Sequence, residues 1–447
     1  MHSIAMPGSL KRRVLHAASW TTAGYGANQV MRFASNLVMT RILFPEAFGL
    51  MAIVQAVLLG VTMLSDMAAS QSVVRSARGA DPAYVNTAWT IQILQGAFVA
   101  LVLFVGAGPI AAHYAQPLLA DLIRVAAIVS LIGGFNSTKI ALAERNVDAK
   151  RVTVIDTASL AASIVASILF AWYDPTPFAL VLGNIVGALC KVLASHFWLH
   201  GQANRLAWDT GAARNVFSFG SKVVLSSTVT YMAGEGGKLL AANLISVNLL
   251  ALLALAANLN MVVWRAIQQL SGRVLFPAYA EVLRNDPARL PRVVERTRFV
   301  QVLPACAVSI VFALLGTHIV HLLYDQRYAG AGLLLQIGAV GTMVDVLTGS
   351  YGGVLWAMGR VGLGTILLCI QVVLQWGGML IGHHVAGPLG VVAGATVGGI
   401  LNYPVTAIAY SRFGLWHWRV DVPVLLLAVL AGAVVVLTGD WSMAKVW

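Results

Sequence analysis

Two apolar segments of the chain carry polar side chains at helical spacing, and each of them includes an arginine. In the first, the polar positions are Tyr25, Asn28, Gln29, Arg32 and Asn36. In the second, they are Asn258, Arg265, Gln268 and Gln269. A guanidinium binds a phosphate or carboxylate through two parallel hydrogen bonds, and amides suit hydroxyl groups. These stripes therefore indicate recognition of an acidic, hydroxyl-rich ligand.

Two shorter polar stripes and several carboxylates lie in other apolar segments. One stripe contains Lys222, Ser226 and Thr230, and the other contains Gln55, Thr62 and Asp66. We interpret Asp66 and Glu235 as candidate sites for a coupling proton or sodium ion, with Asp156 and Asp345 as further candidates. The alternative for each carboxylate is a salt bridge to a neighbouring cation.

The composition identifies the solvent that surrounds these segments. Of the 447 residues, 59% are hydrophobic and only 10% are charged, whereas soluble domains carry about 25% charged residues. A membrane-spanning helix needs roughly 20 apolar residues, and backbone groups in lipid must be satisfied within the segment. The sequence therefore predicts an all-α polytopic membrane protein.

The cysteine pattern argues against a metal or disulfide framework. Cys190, Cys306 and Cys369 lie far apart in apolar runs, without a Cys-x-x-Cys pair. We expect buried apolar cysteines and no cofactor.

Thirteen spans are predicted between residues 14 and 438, with the N-terminus in the cytoplasm. Lys and Arg concentrate in the loops that this orientation places inside, including the longest one, from Arg273 to Arg298. The loops on the opposite side carry only a few cations: Arg41, Lys238, Arg327 and Lys445. This asymmetry follows the positive-inside rule. It also explains the net charge of +12, so nucleic acid is not an expected partner.

A weak internal repeat indicates two lobes. The sequence that starts at Leu37 is similar to the one that starts at Leu239, and that from Ala141 is similar to that from Leu355. Both pairs are six spans apart, although chance similarity is an alternative. Two six-helix lobes around a central cavity would produce this repeat. We predict lobes at 1–205 and 206–415 and one extra span at 416–447.

Several motifs resemble a known family in the same order along most of the chain. They are Met39-Thr-Arg-Ile-Leu-Phe-Pro-Glu-Ala-Phe-Gly-Leu, Leu64-Ser-Asp-Met, Ser72-Val-Val-Arg, Ala143-Glu-Arg-Asn, Val274-Leu-Phe-Pro-Ala-Tyr, Asp286-Pro-Ala-Arg-Leu, Leu323-Tyr-Asp-Gln-Arg-Tyr and Trp356-Ala-Met-Gly-Arg. They resemble the polysaccharide transporter (Wzx-like) branch of the multidrug/oligosaccharidyl-lipid/polysaccharide exporter superfamily. The resemblance implies a bacterial inner-membrane flippase that moves undecaprenyl-pyrophosphate-linked oligosaccharide for lipopolysaccharide or exopolysaccharide synthesis.

The chain departs from this family at three places. Members usually have fourteen spans, and this sequence ends about one span short. Asp66 is followed by Met67 where a glycine is usual, and the Gly-Tyr that usually opens span 8 is replaced by Ser246-Val-Asn-Leu. These departures affect the expected substrate selectivity more than the fold.

The resemblance assigns roles to the polar stripes. Arg32 and Arg265 would bind the pyrophosphate, and Lys222 would add positive charge. Sugar hydroxyls would contact the neutral side chains: Asn28, Gln29, Asn258, Gln269 and Tyr25. The alternative is that each cation pairs internally or extends to a membrane interface.

The expected partners are the lipid-linked oligosaccharide, the membrane, and the polysaccharide polymerase and chain-length machinery. We expect a transporter rather than an enzyme, because no loop outside the cytoplasm is large enough for a catalytic domain. A multidrug or cation antiporter, a membrane-embedded polymerase or ligase, and a scaffold of the assembly machinery are the alternatives.

Overall fold

The computed structural model describes residues 7–146, 148–271 and 275–439. These residues form helices joined by short connections, and none of them is in a β-strand. The chain divides into two compact units, Met1–Tyr231 and Met232–Trp447. Each unit has its own packed core.

The first unit contains nine helices among the described residues: α1 (Pro7–Ile42), α2 (Pro45–Leu64), α3 (Ala69–Arg75), α4 (Pro82–His113), α5 (Pro117–Gly134), α6 (Lys139–Arg145), α7 (Ala149–Tyr173), α8 (Phe178–Phe197) and α9 (Thr210–Tyr231). Proline occupies the first turn of α2, α4 and α5, where its missing N–H leaves no helical bond unmade. The main helix pairs are α4 with α5, α7 with α8, and α1 with α7.

Helix α9 packs against α2 and α4 and therefore groups with the first unit. From the sequence, the second lobe is instead predicted to start at residue 206. The difference arises because α9 is assigned by its packing partners, which lie more than a hundred residues earlier in the chain. The lobe limits 1–205, 206–415 and 416–447 stay predictions.

The second unit begins with a π-helical turn, Met232–Gly236. Its α-helices are α10 (Gly237–Leu244), α11 (Val247–Leu270), α12 (Phe276–Asn285), α13 (Leu290–Leu323), α14 (Ala331–Gly349), α15 (Gly352–Ala357), α16 (Val361–Ser411) and α17 (Trp418–Thr438). Helix α14 is buried along almost its whole length because α11, α13, α16 and α17 all pack against it. The extra span predicted at the C-terminal end, α17, is thus part of this core.

Ten helices among the described residues are long and apolar enough to cross a membrane. One of them, α16, contains two of the predicted spans and bends at Ala386 and Gly387, where Gly387 has a φ of 60°. Its two halves approach closely at glycines, since a Cβ on Gly382 or Gly394 would collide with the facing backbone. Helices α1 and α9 carry polar stripes and are not among the ten. The prediction of an all-α polytopic membrane protein is confirmed.

Candidate functional site

The predicted polar stripe of the first unit lies on one continuous helix, α1. Tyr25, Asn28 and Gln29 are half-buried and Arg32 is exposed. The buried Oδ1 atom of Asn28 has no hydrogen-bond partner. Helix α1 is held by α7, where Gly24 abuts Thr153. Helix α1 is thus anchored at a residue outside the stripe.

Asp66 lies in a short break between two helices. Helix α2 ends at Leu64 and α3 begins at Ala69, and Ala68 between them has a φ of 49°. One Asp66 carboxylate oxygen accepts a hydrogen bond from the Ala68 amide at 2.8 Å. A second interruption separates α5 from α6, where the side chain of Asn136 donates to the Gly133 carbonyl at 2.8 Å. Irregular backbone at membrane depth is tolerated where it lines a cavity.

A cavity of about 360 Å³ lies beside both interruptions, and we call it the polar cavity. It is bounded by residues from α2 to α6 and by Lys191 of α8. Its polar lining consists of Thr62, Asp66, Ser70, Gln71, Gln92, Gln95, Ser130, Asn136, Ser137 and Lys191. Of the residues proposed from sequence as binding or coupling groups, Asp66 lines this cavity, and the residues of the α1 stripe do not.

Two glutamines of α4 connect the interruptions to the rest of the unit. The amide of Gln92 donates to the carbonyls of Gly134 and Asn136, at 3.1 and 3.0 Å. Gln95 accepts a long hydrogen bond, 3.5 Å, from the Met67 amide. Sequence reasoning missed both glutamines, although they are three residues apart in an otherwise apolar span and so share a helix face.

One charged group that lines the polar cavity, Lys191, forms a salt bridge. Lys191 Nζ lies 2.8 Å from the Asp156 carboxylate, and both side chains are partly exposed. Desolvation raises the pKa of Glu144, near the end of α6, and the negative charge of Asp156 raises it further. The salt-bridge alternative is therefore realised for Asp156.

Glu235 also forms a salt bridge. It lies on the π-helical turn, and its carboxylate is 2.6 Å from Lys238 Nζ. π-Helical turns occur frequently at functional sites. Its coupling role stays a prediction, as does that of Asp66.

The predicted stripe of the second unit lies on α11. Asn258 and Arg265 are exposed, and neighbouring Trp264 packs against Gly349 of α14. The side chains of Lys222 and Gln269 lie outside the described residues. The predicted partnership of Arg32 with Arg265 stays a prediction.

A buried ion pair in the second unit corrects one sequence assignment. Arg298, expected in a cytoplasmic loop, is completely buried in α13, and its guanidinium lies 2.6 Å from the Asp421 carboxylate of α17. It also donates to Ser350 at 2.9 Å and lies 3.6 Å from the centre of the Tyr351 ring. Its placement in a loop was wrong, because the partner that holds it in the helix is distant in sequence; its cytoplasmic side stays a prediction.

The tyrosines around this pair complete a polar network. Tyr403 and Tyr351 donate to the second carboxylate oxygen of Asp421, at 2.8 and 3.3 Å. Tyr351 stacks on Tyr410 with ring centres 4.0 Å apart. The network joins α13, α16 and α17 to the residues between α14 and α15.

Known proteins share this architecture over nearly the whole chain. The lipid II flippase MurJ, in an inward closed conformation, matches with a TM-score of 0.71 and 9% identity, covering 95% of both chains. An inward-facing multidrug resistance MATE family transporter matches with a TM-score of 0.64 and 13% identity, covering 92% of this chain and 96% of its own. The chain thus shares the fold of these two transporters.

Sequence comparison identifies the family. Residues 38–332 match the profile of the polysaccharide biosynthesis protein family. The lipopolysaccharide biosynthesis protein WzxC of Escherichia coli K12 is 21% identical, with 95% of this chain and 89% of WzxC covered. The amylovoran biosynthesis protein AmsL of Erwinia amylovora is 22% identical, with 62% and 71% covered. The chain belongs to the polysaccharide biosynthesis protein family, which confirms the resemblance found in its motifs.

Proposed function

We propose that this protein is a flippase that moves undecaprenyl-pyrophosphate-linked oligosaccharide repeats across the cytoplasmic membrane. The observation that carries the proposal is the similarity to WzxC along nearly the full length of both proteins. The fold shared with MurJ, which is named as a lipid II flippase, supports transport of a lipid-linked substrate. The product would enter lipopolysaccharide or exopolysaccharide.

The two arginine-containing stripes are the proposed binding groups. Arg32 and Arg265 would each hold the pyrophosphate by bidentate hydrogen bonds, and both side chains are exposed on their helices. Asn28, Gln29 and Asn258 lie on the same helices, where their amides suit sugar hydroxyls. Tyr25, Lys222 and Gln269 complete the proposed set.

The transport cycle would be alternating access of two helical lobes around a central cavity. The N-terminus would lie in the cytoplasm, as the distribution of Lys and Arg predicts. Asp66 and Glu235 are the proposed ion-coupling groups, and coupling at Glu235 requires release of Lys238. The proposed protein partners are the polysaccharide polymerase and chain-length machinery.

Deletion of the gene in the source bacterium tests this function. We expect lipid-linked repeats to accumulate on the cytoplasmic face and surface polysaccharide to disappear, with recovery when the wild-type gene is returned. Arg32→Ala is the test variant in this assay, and Arg124→Ala is its matched control. The exposed side chain of Arg124 pairs with Asp121 at 3.0 Å. Unpolymerised repeats outside the membrane would contradict the proposal and indicate a polymerase.

Drug or cation export is a second candidate, because the MATE transporters share this fold. A drug exporter would raise the resistance of a drug-sensitive host on expression. We expect no such change, because the proposed binding residues include three cations, which would repel a cationic drug. A clear increase in resistance without any effect on polysaccharide would favour the exporter.

A further inference from the structure

We infer that the polar cavity of the first unit is a saccharide-binding subsite that takes one or two neutral sugar residues. The physiological source of these sugars, the repeat of a lipid-linked substrate, rests on the proposed function.

The size of the cavity fits a small organic ligand. At about 360 Å³, it lies at the lower end of the range of about 300–1,000 Å³ for small-molecule pockets. A single water occupies roughly 30 Å³ of liquid. A lone sodium ion or proton carrier would therefore leave most of the cavity to water.

The lining favours a neutral ligand that is rich in hydroxyls. Its polar groups are mainly amides and hydroxyls, which both donate and accept hydrogen bonds. The one cation of the lining, Lys191, is neutralised by Asp156 at 2.8 Å. Since the other charged group, Asp66, is a carboxylate, the cavity is poorly suited to a phosphate.

Some of the lining groups are already used and others remain available. Among the described residues, one oxygen of Asp66 accepts from Ala68, which leaves acceptor sites on the second oxygen. The carbonyl oxygen of Gln95 accepts from Met67, so its NH₂ group can donate to a ligand. Asp66 and Gln95 both line the cavity. A carboxylate and an amide in one cavity present an acceptor and a donor to the hydroxyls of a sugar.

Glycines let α4 and α5 pack closely along one side of the cavity. A Cβ on Gly96 would lie 2.8 Å from the Ser130 carbonyl, and one on Gly134 would lie 3.1 Å from the Gln92 carbonyl. Both glycines border the cavity. The two helices thus meet backbone to backbone, and large side chains are excluded from this side of the cavity.

Saturation-transfer NMR on the purified full-length protein in nanodiscs tests the inference. The probe is the free oligosaccharide repeat, released by hydrolysis from the polysaccharide of the source bacterium. Gln95→Leu and Gln71→Leu should each weaken saccharide binding at least tenfold. The matched control is Gln326→Leu, an exposed glutamine of the second unit, which should bind as the wild type does.

The outcomes separate this inference from the proposed function. Gln95→Asn keeps the amide and should retain measurable binding even if Gln95→Leu fails to fold. If wild-type protein flips lipid-linked repeats but neither cavity variant alters saccharide binding, the subsite is refuted and the flippase stands. If saccharide binding depends on Gln95 but no lipid-linked substrate moves, the flippase is refuted and the subsite stands. Asp66→Asn gives one more refuting outcome. If this variant changes only the sodium or proton dependence of transport and leaves saccharide binding unchanged, the inference is overturned.

Discussion

Removal of the Asp421 carboxylate should destabilise the second unit more than almost any other single substitution. In Asp421→Ala, the Arg298 guanidinium loses its counter-ion at 2.6 Å, although both side chains are completely buried. Tyr403 and Tyr351 lose an acceptor at the same time. Breaking a buried ion pair by removing one partner costs about 3–5 kcal/mol, because the other charge remains uncompensated.

This free-energy loss converts into a measurable shift in Tm. A unit of this size loses roughly 2–4 °C per kcal/mol, so Asp421→Ala should lower Tm by about 6–20 °C. The assay is thermal unfolding of the detergent-purified protein, followed by tryptophan fluorescence and size-exclusion chromatography. Asp121→Ala is the matched control, because it breaks an exposed pair with Arg124 that contributes about 0–1 kcal/mol.

A double variant distinguishes the ion pair from general packing. Arg298→Met combined with Asp421→Leu removes both charges together and should recover much of the lost stability, since apolar replacements of buried pairs are often neutral. Equal Tm values for Asp421→Ala and Asp121→Ala would refute the reasoning. So would a double variant that is much less stable than Asp421→Ala.

Three further predictions concern transport and helix packing. Arg32→Ala and Arg265→Ala should each reduce flipping at least tenfold in proteoliposomes. Lysine at either position should restore only part of the activity, because it cannot form the bidentate contact. Full activity in both alanine variants would contradict this prediction. A negative potential on the face that the substrate leaves should speed flipping, since about two negative charges gain roughly 2.3 kcal/mol each per 100 mV. A flipping rate that does not depend on the potential would reject potential-driven export. Gly394→Leu should lower Tm and expression, because the leucine side chain would collide with the backbone of Gly378. If this variant is as stable to heat as the wild type, the two halves of α16 separate easily and the prediction is wrong.

Composition and periodicity were sufficient for the fold class. Long apolar runs predict membrane helices because the bilayer offers the backbone no other partner. The α1 stripe was visible because its spacing is local. The grouping of α9 with the first unit depends on contacts with α2 and α4, which no local pattern contains.

The same distinction explains what was missed near the candidate sites. Arg298 has the appearance of a loop cation until Asp421, 123 positions later, is brought beside it. Gln92 becomes informative only when the interruption after α5 supplies the carbonyls to which it donates. Buried polar groups need partners, but the sequence does not reveal which distant residue provides them.

The most direct test of the proposed function is flipping of the bacterium's own lipid-linked oligosaccharide in proteoliposomes that contain only this protein. The expected result is protein-dependent appearance of the sugar on the opposite leaflet, strongly reduced when Arg32 and Arg265 are both replaced by alanine. Equal transfer in protein-free liposomes, or full transfer by the double variant, would contradict the proposal that fixed positive groups carry an acidic lipid headgroup through the membrane.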